Sequence, residues 1–173
     1  VKEMIYMAEK YQLEYLDIVD INDDVIGKAS KDDVYQKLLR HRIAHVLIFK
    51  QDGEMVLQKR SGKVSFCPNH WSTAVGGHVQ TGESYEEAAL REYQEELGTR
   101  SILEFVGKDY YVAPNKPEKF LATFKTTFNG PFNPDPEAVS EIGAFDIGQI
   151  KRMVEDGVKF HPELIFILEK YYF

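Results

Sequence analysis

The sequence predicts an α/β protein of the α+β type, in which a mixed β-sheet is sandwiched between α-helices. Three observations support this fold class. Short apolar segments of strand length recur along the chain, clusters of turn-forming residues separate them, and helical segments are interspersed among them. The 173 residues suit one compact domain, and an apolar fraction of 43% supplies enough surface for a buried core.

The first half of the chain is predicted to be rich in strands. Apolar and β-branched segments indicate the strands, and the turn residues Asn22-Asp23-Asp24 and Asp52-Gly53 separate neighbouring pairs. In chain order, we expect strands at 13–21 and 25–30, a short helix at 32–39, strands at 43–49 and 54–59, a loop at 61–72, and a short strand opening at Val75.

The second half begins with a helix over 85–97, whose two ends carry clear signals. Ser84 and Glu87 form an S-x-x-E capping box, and Gly98 lies where a left-handed cap ends a helix. Three prolines within 129–136 require a loop. The remaining expected elements are strands at 102–106, 110–112, 120–128 and 144–147, and helices at 148–155 and 162–171.

Charge and composition limit the partners of the protein. A net charge of -7 argues against broad binding to nucleic acid polymers or anionic membranes, but it allows a small anionic ligand beside a bound cation. The single cysteine, Cys67, is expected to be a free buried thiol and suits a cytoplasmic protein. No apolar segment approaches the roughly 20 residues of a membrane-spanning helix. We expect residues 1–40 to be an extension packed on a domain formed by 41–173.

The helix over 85–97 carries an unusual cluster of acids. Glu92, Glu95 and Glu96 lie within roughly a 100° arc, because residues three and four apart return to the same side of a helix. Glu92 and Glu96 border the apolar stripe instead of facing away from it. Such crowded carboxylates need a compensating positive charge. Arg91 supplies one, and three oxygen donors also suit a hard divalent cation such as Mg²⁺.

The segment from Gly77 to Thr99 resembles the Nudix box, G-x5-E-x7-R-E-U-x-E-E-x-G-U, in which U is apolar. Only Thr99 departs from the pattern, and the matching residues are Gly77, Glu83, Arg91, Glu92, Tyr93, Glu95, Glu96 and Gly98. The resemblance implies a Nudix fold over the domain. It also implies that Glu92, Glu95 and Glu96 bind Mg²⁺ or Mn²⁺, with the Gly77 carbonyl as a possible further ligand. Arg91 would orient the glutamates, and Glu83 and Gly98 would support the loop and helix.

A metal held by carboxylates can neutralise a diphosphate and activate water for its hydrolysis. One glutamate outside the coordination can take the proton from that water, and the sequence leaves open which one. Glu137 is the candidate for an extra base or ligand, with Glu141 as its alternative. Lys59 and Arg60 end a predicted strand beside the expected cleft, so they are candidates for contacting substrate phosphate.

The surroundings of the box resemble the family branch that contains type 1 isopentenyl-diphosphate isomerase. The similar segments are Arg40-His41-Arg42, Leu57-Gln58-Lys59-Arg60 and WSTAVGGH at 71–78. The isomerase has W-T-N-x-x-C-G-H-P in the last segment, whereas its catalytic cysteine position is Gly76 here and its proline is Val79. The missing acid favours hydrolysis over isomerisation. His41 and His78 match metal-binding positions of the isomerase, but a lone histidine is more often a hydrogen-bonded structural residue, and a full set of metal-binding histidines is not evident.

The sequence therefore predicts a Mg²⁺-dependent Nudix hydrolase that cleaves the diphosphate linkage of a nucleoside diphosphate derivative or a related small diphosphate. Two alternatives stay open. One is an enzyme like isopentenyl-diphosphate isomerase, and the other is a non-catalytic nucleotide-binding module. Residues 1–40 could also pair across a homodimer.

Overall fold

The computed structural model describes residues 13–173. It contains nine strands and four helices among them. The strands are β1 (Tyr15–Val19), β2 (Val25–Ser30), β3 (His41–Phe49), β4 (Met55–Arg60), β5 (Trp71–Thr73), β6 (Val75–His78), β7 (Glu104–Tyr111), β8 (Lys119–Thr127) and β9 (Val139–Phe145). The helices are α1 (Lys31–Gln36), α2 (Tyr85–Leu97), α3 (Ile147–Glu155) and α4 (Pro162–Tyr171).

Strand β3 organises a mixed seven-stranded sheet. It runs parallel to β8 along its whole length, and it pairs with β4 only at Ile48↔Val56 and Phe49↔Met55. From Ile43 to Val46 β3 pairs instead with β6, while β5 and β9 pair with β4. Because β3 and β4 separate in this way, the glycine pair of β6 lies in the middle of the molecule.

Helices cover both faces of this sheet, which confirms the predicted sandwich. Helix α2 packs on one face, where the buried residues include Ala44, Val46, Ile48, Ala88, Ala89, Tyr93 and Leu97. Helices α3 and α4 cover the other face, with Leu47, Met55, Leu57, Ile150, Leu164, Ile167 and Leu168. Successive β3 side chains alternate between the two faces, so His45 lies on the same side as Leu47 and faces α4.

Three predicted stretches differ from the observed elements. The predicted loop 61–72 ends in β5, a three-residue strand that only its pairing with β4 defines. The two strands predicted at 102–106 and 110–112 are one strand, β7, with a register shift between Phe105 and Gly107. The strand predicted at 144–147 instead spans Val139–Phe145 (β9). Its pairing with β4 begins at residues that include polar ones of low strand propensity, so the sequence did not indicate where it starts. Long-range pairing overrode the local signal in each case.

The hairpin of β1 and β2, which the sequence predicts, docks on the loop before α2. Leu16 bridges Gln80, and the amide of Thr81 donates to the carbonyl of Tyr15 at 2.9 Å. The boundary between an extension at 1–40 and a domain at 41–173 stays a prediction, and residues 1–12 lie outside the described part of the chain. Within residues 13–173, helices are too short or too polar to cross a membrane.

The buried carboxylate of Asp23, in the β1–β2 turn, fixes this hairpin to the domain. It accepts from Arg42 Nε at 2.7 Å, from Lys108 Nζ at 2.8 Å and from the Tyr85 hydroxyl at 2.9 Å. Burial would raise the pKa of Asp23, but these donors hold it below its usual value. The hairpin is therefore anchored at the first residue of α2.

Candidate active site

Helix α2 has the bounds and caps that the sequence predicts. The Ser84 side chain accepts from the Glu87 amide while the Glu87 carboxylate accepts from the Ser84 amide, and Gly98 adopts the left-handed conformation with φ 68°. Buried side chains on one face of the helix hold it against the sheet. Glu92 and Glu96 lie at the margin of that face and are half-buried, whereas the Glu95 side chain is 58% exposed.

Arg91 connects the acids of this helix to the preceding loop. Its Nε and Nη2 donate to the two carboxylate oxygens of Glu83 at 2.5 and 3.0 Å, and Nη2 also donates to the His78 carbonyl at 2.9 Å. Its Nη1 lies 3.0 Å from a Glu92 oxygen and 3.3 Å from a Glu95 oxygen. One guanidinium therefore orients two of the three glutamates and is itself held by Glu83.

The site holds more negative charge than Arg91 can balance. Burial raises the pKa of Glu92 to about 7; Arg91 opposes this shift and the charge of Glu95 adds to it. Burial and the charge of Glu92 raise the pKa of Glu96 well above its usual value, although Gln58 Nε2 donates to its carboxylate. A bound cation would remove this repulsion.

Two glycines of β6 let the sheet approach these side chains closely. A Cβ atom at Gly77 would overlap the carboxylate of Glu92, and a Cβ atom at Gly76 would lie 2.9 Å from the His45 ring. Any side chain at Gly77 would therefore displace Glu92. This is a requirement for close approach that the sequence pattern alone does not reveal.

A cavity of about 980 Å³ opens beside the glycine pair. Glu92, Glu95 and Arg91 line one part of it, and Arg60 and Cys67 line another. The expected phosphate contact Arg60 is thus at the cavity, where its Nε also donates to the Phe66 carbonyl at 3.0 Å. Cys67 is half-buried, not fully buried as expected, and burial raises the pKa of its thiol.

Glu96 is next to the lining residue Glu95 but does not itself line the cavity, and three other candidates lie away from both. The Lys59 ammonium lies 4.0 Å from Glu141 and 5.9 Å from the centre of the Trp71 ring. The Glu137 side chain is 65% exposed and pairs with Lys63 at 3.0 Å, while the Glu141 side chain is 57% exposed. The structure therefore brings together the glutamates of α2, Arg91, Gly77 and Arg60, and it keeps these three residues apart from them.

The donor set of the helix fits a hard divalent cation. Carboxylate oxygens are the ligands that Mg²⁺ and Mn²⁺ prefer, and burial together with repulsion from a neighbouring carboxylate raises the pKa of Glu92 and Glu96. In the arrangement described for 13–173, however, no three His, Cys, Asp or Glu side chains converge as a preformed metal cluster. Arg91 holds Glu92 and Glu95 instead, so binding a metal would require these side chains to turn.

His41 and His78 come together, but their surroundings do not favour a metal. Their rings stack with centroids 5.6 Å apart, and the Tyr35 hydroxyl lies 2.7 Å from His78 Nε2. His41 pairs in register with Lys119, whose ammonium would repel a cation. Burial, together with that charge, lowers the pKa of His41 to about 4.

This buried histidine predicts a pH dependence of stability. The unfolded chain takes up a proton at His41 near pH 6.5, but the folded chain does so only near pH 4. Its contribution to the free energy of unfolding is therefore complete above pH 6.5 and is lost as the pH falls towards 4, by up to about 1.4 kcal/mol per pH unit. Urea denaturation measures the free energy of unfolding of wild type and His41→Phe. The difference between the two should decrease as the pH falls from 6.5 to 4.

The comparison with a variant is needed because Glu92 and Glu96, whose pKa values are raised, change the stability in the opposite direction as the pH falls. His70→Gln is the matched control, since His70 is a half-exposed residue of the loop before β5, and its stability difference should change less with pH. A stability difference for His41→Phe that does not change with pH would contradict the prediction.

Several cavity residues carry no local motif and were missed by sequence reasoning. They are Lys119, His161 and Glu163 on the inner wall, and Gln58, which donates to Glu96 outside the cavity lining, was missed as well. The only available signals were a lysine at the start of an apolar strand and a glutamate in the first turn of an apolar helix. Neither signal identifies a site without the tertiary contacts.

The fold and the acidic helix define a hydrolase with a mixed sheet between helices and a carboxylate-lined cleft. The profile of the NUDIX domain family matches residues 39–165. An uncharacterised Nudix hydrolase of Streptomyces coelicolor is 33% identical over 159 residues, covering 87% of this chain and 88% of the relative. Another from Yersinia pestis is 32% identical over 130 residues, covering 75% of this chain and 71% of the relative. The chain therefore belongs to the Nudix family and is a hydrolase of phosphoric anhydride bonds.

Solved structures show the same fold. The Deinococcus radiodurans protein DR0079 superposes with a TM-score of 0.81 at 23% identity, covering 92% of this chain and all of that one. The Nudix domain of Shewanella oneidensis NrtR, in complex with ADP ribose, superposes with a TM-score of 0.59 at 12% identity. The match covers 74% of this chain and 83% of that one. A C. elegans Ap4A hydrolase superposes with a TM-score of 0.54 at 21% identity, and the match covers 75% of this chain and 93% of that one.

Proposed function

We propose that this protein is a Mg²⁺- or Mn²⁺-dependent hydrolase that cleaves the diphosphate linkage of a nucleoside diphosphate derivative or a related small diphosphate. The observation that carries the proposal is the crowded carboxylate group of α2, where burial raises the pKa of both Glu92 and Glu96 beside a large cavity. Such a group favours the binding of a cation, and a cation is what a protein of net charge -7 needs to hold a diphosphate.

In this proposal Glu92, Glu95 and Glu96 hold the metal, and the Gly77 carbonyl is a further candidate ligand. The bound metal supplies charge neutralisation for the diphosphate and lowers the pKa of water. Glu83 fixes Arg91, Arg91 orients Glu92 and Glu95, and the cap at Gly98 ends the helix directly after these side chains.

The remaining contacts concern the substrate and the proton. Arg60 faces the cavity and would contact phosphate oxygens. Glu137 as an extra base or ligand, and Lys59 as a second phosphate contact, stay predictions, and both lie outside the cavity in this arrangement. A side-chain rearrangement on binding would be needed to bring either residue to the substrate.

The size of the cavity and the similar folds support a nucleotide-sized substrate. Two proteins of this fold are an Ap4A hydrolase and a domain bound to ADP ribose, so dinucleoside polyphosphates and ADP-ribose belong among the first compounds to assay. We expect no nucleic acid polymer and no membrane as partner. A cytoplasmic location and a homodimer stay predictions.

Hydrolysis of a compound panel tests the proposal. Purified protein is incubated with nucleoside diphosphate sugars, ADP-ribose, Ap4A and nucleoside triphosphates, with Mg²⁺, with Mn²⁺ or with EDTA. We expect at least one compound to release nucleotide or phosphate with a metal and none to do so with EDTA. Absence of turnover across the panel, or turnover that persists in EDTA, would contradict the proposal.

The isomerase alternative requires a separate assay. Gly76 has no side chain to act as an acid, but Cys67 lines the same cavity and burial raises the pKa of its thiol. Conversion of isopentenyl diphosphate to dimethylallyl diphosphate by the purified protein would favour this alternative. A non-catalytic module would instead bind nucleotide without metal and without turnover.

A further inference from the structure

The inner wall of the cavity carries a second group of ionisable side chains, apart from the glutamates of α2. The group, which we call the inner cluster, consists of His45 on β3, Lys119 on β8, and His161 and Glu163 at the start of α4. Their exposed fractions are 3, 6, 7 and 4%, yet all four line the cavity. Ionisable side chains are rarely buried to this extent without a partner or a ligand.

Both carboxylate oxygens of Glu163 have a partner within the inner cluster. One oxygen lies 3.0 Å from His45 Nε2 and the other accepts from Lys119 Nζ at 3.1 Å. Burial would raise the pKa of Glu163, but His45 and Lys119 hold it well below its usual range. Glu163 is therefore ionised, and each of its oxygens has a donor partner within the inner cluster.

Both ring nitrogens of His45 have a partner. Nδ1 lies 2.8 Å from the Thr73 hydroxyl, which donates to the Val75 carbonyl at 3.0 Å, and Nε2 lies 3.0 Å from a Glu163 oxygen. His45 therefore has no ring nitrogen left for a ligand. The ammonium of Lys119 balances the carboxylate of Glu163.

Donor groups of the inner cluster are left over for a ligand. The Nδ1 atom of His161 accepts from the Glu163 amide at 3.1 Å, which places the ring proton on Nε2. Among residues 13–173 that Nε2 has no hydrogen-bond partner, although the side chain is more than nine-tenths buried. Lys119 uses one of its three N–H bonds on Glu163. The N-terminus of the ten-residue helix α4 adds positive potential at the same place.

We propose that the inner cluster is an anion-binding subsite, which takes a phosphate or carboxylate group through Lys119 and His161. The groups left over for a ligand are the N–H donors of Lys119 and His161, so they select an anion, and the ammonium of Lys119 would repel a metal ion. This inference rests on the proposed function where it concerns the substrate. The hydrolase would then prefer diphosphates whose second half carries an additional acidic group, because that group can reach the inner cluster while the diphosphate lies beside α2.

Binding of inorganic phosphate in EDTA tests the subsite without turnover. Without a metal the carboxylates of α2 repel phosphate, so binding measured by calorimetry reports on the cationic part of the cavity. We expect Lys119→Met to weaken phosphate binding about tenfold or more, as for loss of a charge-assisted hydrogen bond. The control Lys151→Met removes the same charge from an exposed position on α3 outside the cavity and should leave binding unchanged.

His161→Asn provides a second variant in case Lys119→Met does not fold. Asparagine is a favourable N-cap residue whose side-chain oxygen can replace Nδ1 as the acceptor for the Glu163 amide, but it lacks the Nε2 donor. Phosphate binding should weaken about threefold to tenfold with the helix intact. Wild-type binding that is absent up to about 10 mM phosphate, or unchanged in both variants, would overturn the proposal.

A pair of matched ligands distinguishes a substrate group from free phosphate. UDP-glucuronate and UDP-glucose differ by a carboxylate, and their affinities can also be compared in EDTA. A preference of about tenfold for UDP-glucuronate that disappears in Lys119→Met would support a substrate subsite. Equal affinities, with phosphate binding that still depends on Lys119, would assign the subsite to free phosphate. Neither measurement requires hydrolysis, so both can be interpreted even if the protein does not hydrolyse diphosphates.

Discussion

Replacement of Glu96 by glutamine is expected to reduce metal-dependent hydrolysis by about 10²- to 10⁴-fold, the range typical of a lost catalytic or ligating carboxylate. Glutamine keeps the size of the side chain but cannot bind the cation as a carboxylate does. Steady-state kinetics with Mg²⁺ on the best compound of the panel measure the effect. The loss should appear mainly in kcat/KM at low metal and should be partly relieved at high metal concentration.

A stability measurement separates this loss from unfolding. Because burial and Glu92 raise the pKa of Glu96 above its ordinary value of 4.5, the folded protein loses stability as the pH rises above 4.5, and the loss is complete above the raised pKa. The neutral glutamine removes this penalty, so Glu96→Gln should unfold at an equal or higher urea concentration in EDTA at pH 8. Glu86→Gln, at an exposed position in the first turn of the same helix, is the control and should retain activity. Full activity in Glu96→Gln would refute the assignment.

The second large effect is expected for Gly77→Ala. The added Cβ atom would overlap the Glu92 carboxylate, so either Glu92 or strand β6 must move. We expect hydrolysis to fall by about 10²-fold, because displacement by an ångström is enough to disrupt catalytic geometry. The free energy of unfolding should fall by about 1–3 kcal/mol, as for other overpacked sites. Kinetics and urea denaturation measure the two effects.

Gly27→Ala is the matched control for this change. A Cβ atom at Gly27 meets no other atom within 4 Å, so the same substitution adds a methyl group without a clash. It should leave both hydrolysis and stability near the wild-type values. If Gly77→Ala behaved like this control, the close approach of β6 to α2 would not be needed for the activity.

Local signals determined helix α2 completely. Ser84, Glu87 and Gly98 act within a few residues of the helix ends, so the bounds and caps are encoded in adjacent positions. The 3.6-residue period likewise places Glu92 and Glu96 at the edge of the buried face. The Nudix box follows from the same short segment, which is why the sequence alone predicts the family and the acidic group.

Long-range pairing decided the features that the sequence did not predict. Strand β5 exists because three residues pair with β4, and the two short strands predicted after α2 merge because β8 supplies a continuous partner. Glu137, just before β9, lies on the surface and pairs with Lys63. No local pattern records such choices, since each depends on a segment far away in the chain.

The sequence by itself thus determined the helix, its acids and the class of chemistry, because those depend on spacing within one element. Only the tertiary structure decided what surrounds them. It placed Gly77 against Glu92, and it brought Lys119 of β8 and Glu163 of α4 together with His45 of β3. Those three residues are separated by 44 to 118 positions along the chain. Their charges matter to one another only because the fold brings them together at one buried wall, where water screens them less than at the surface.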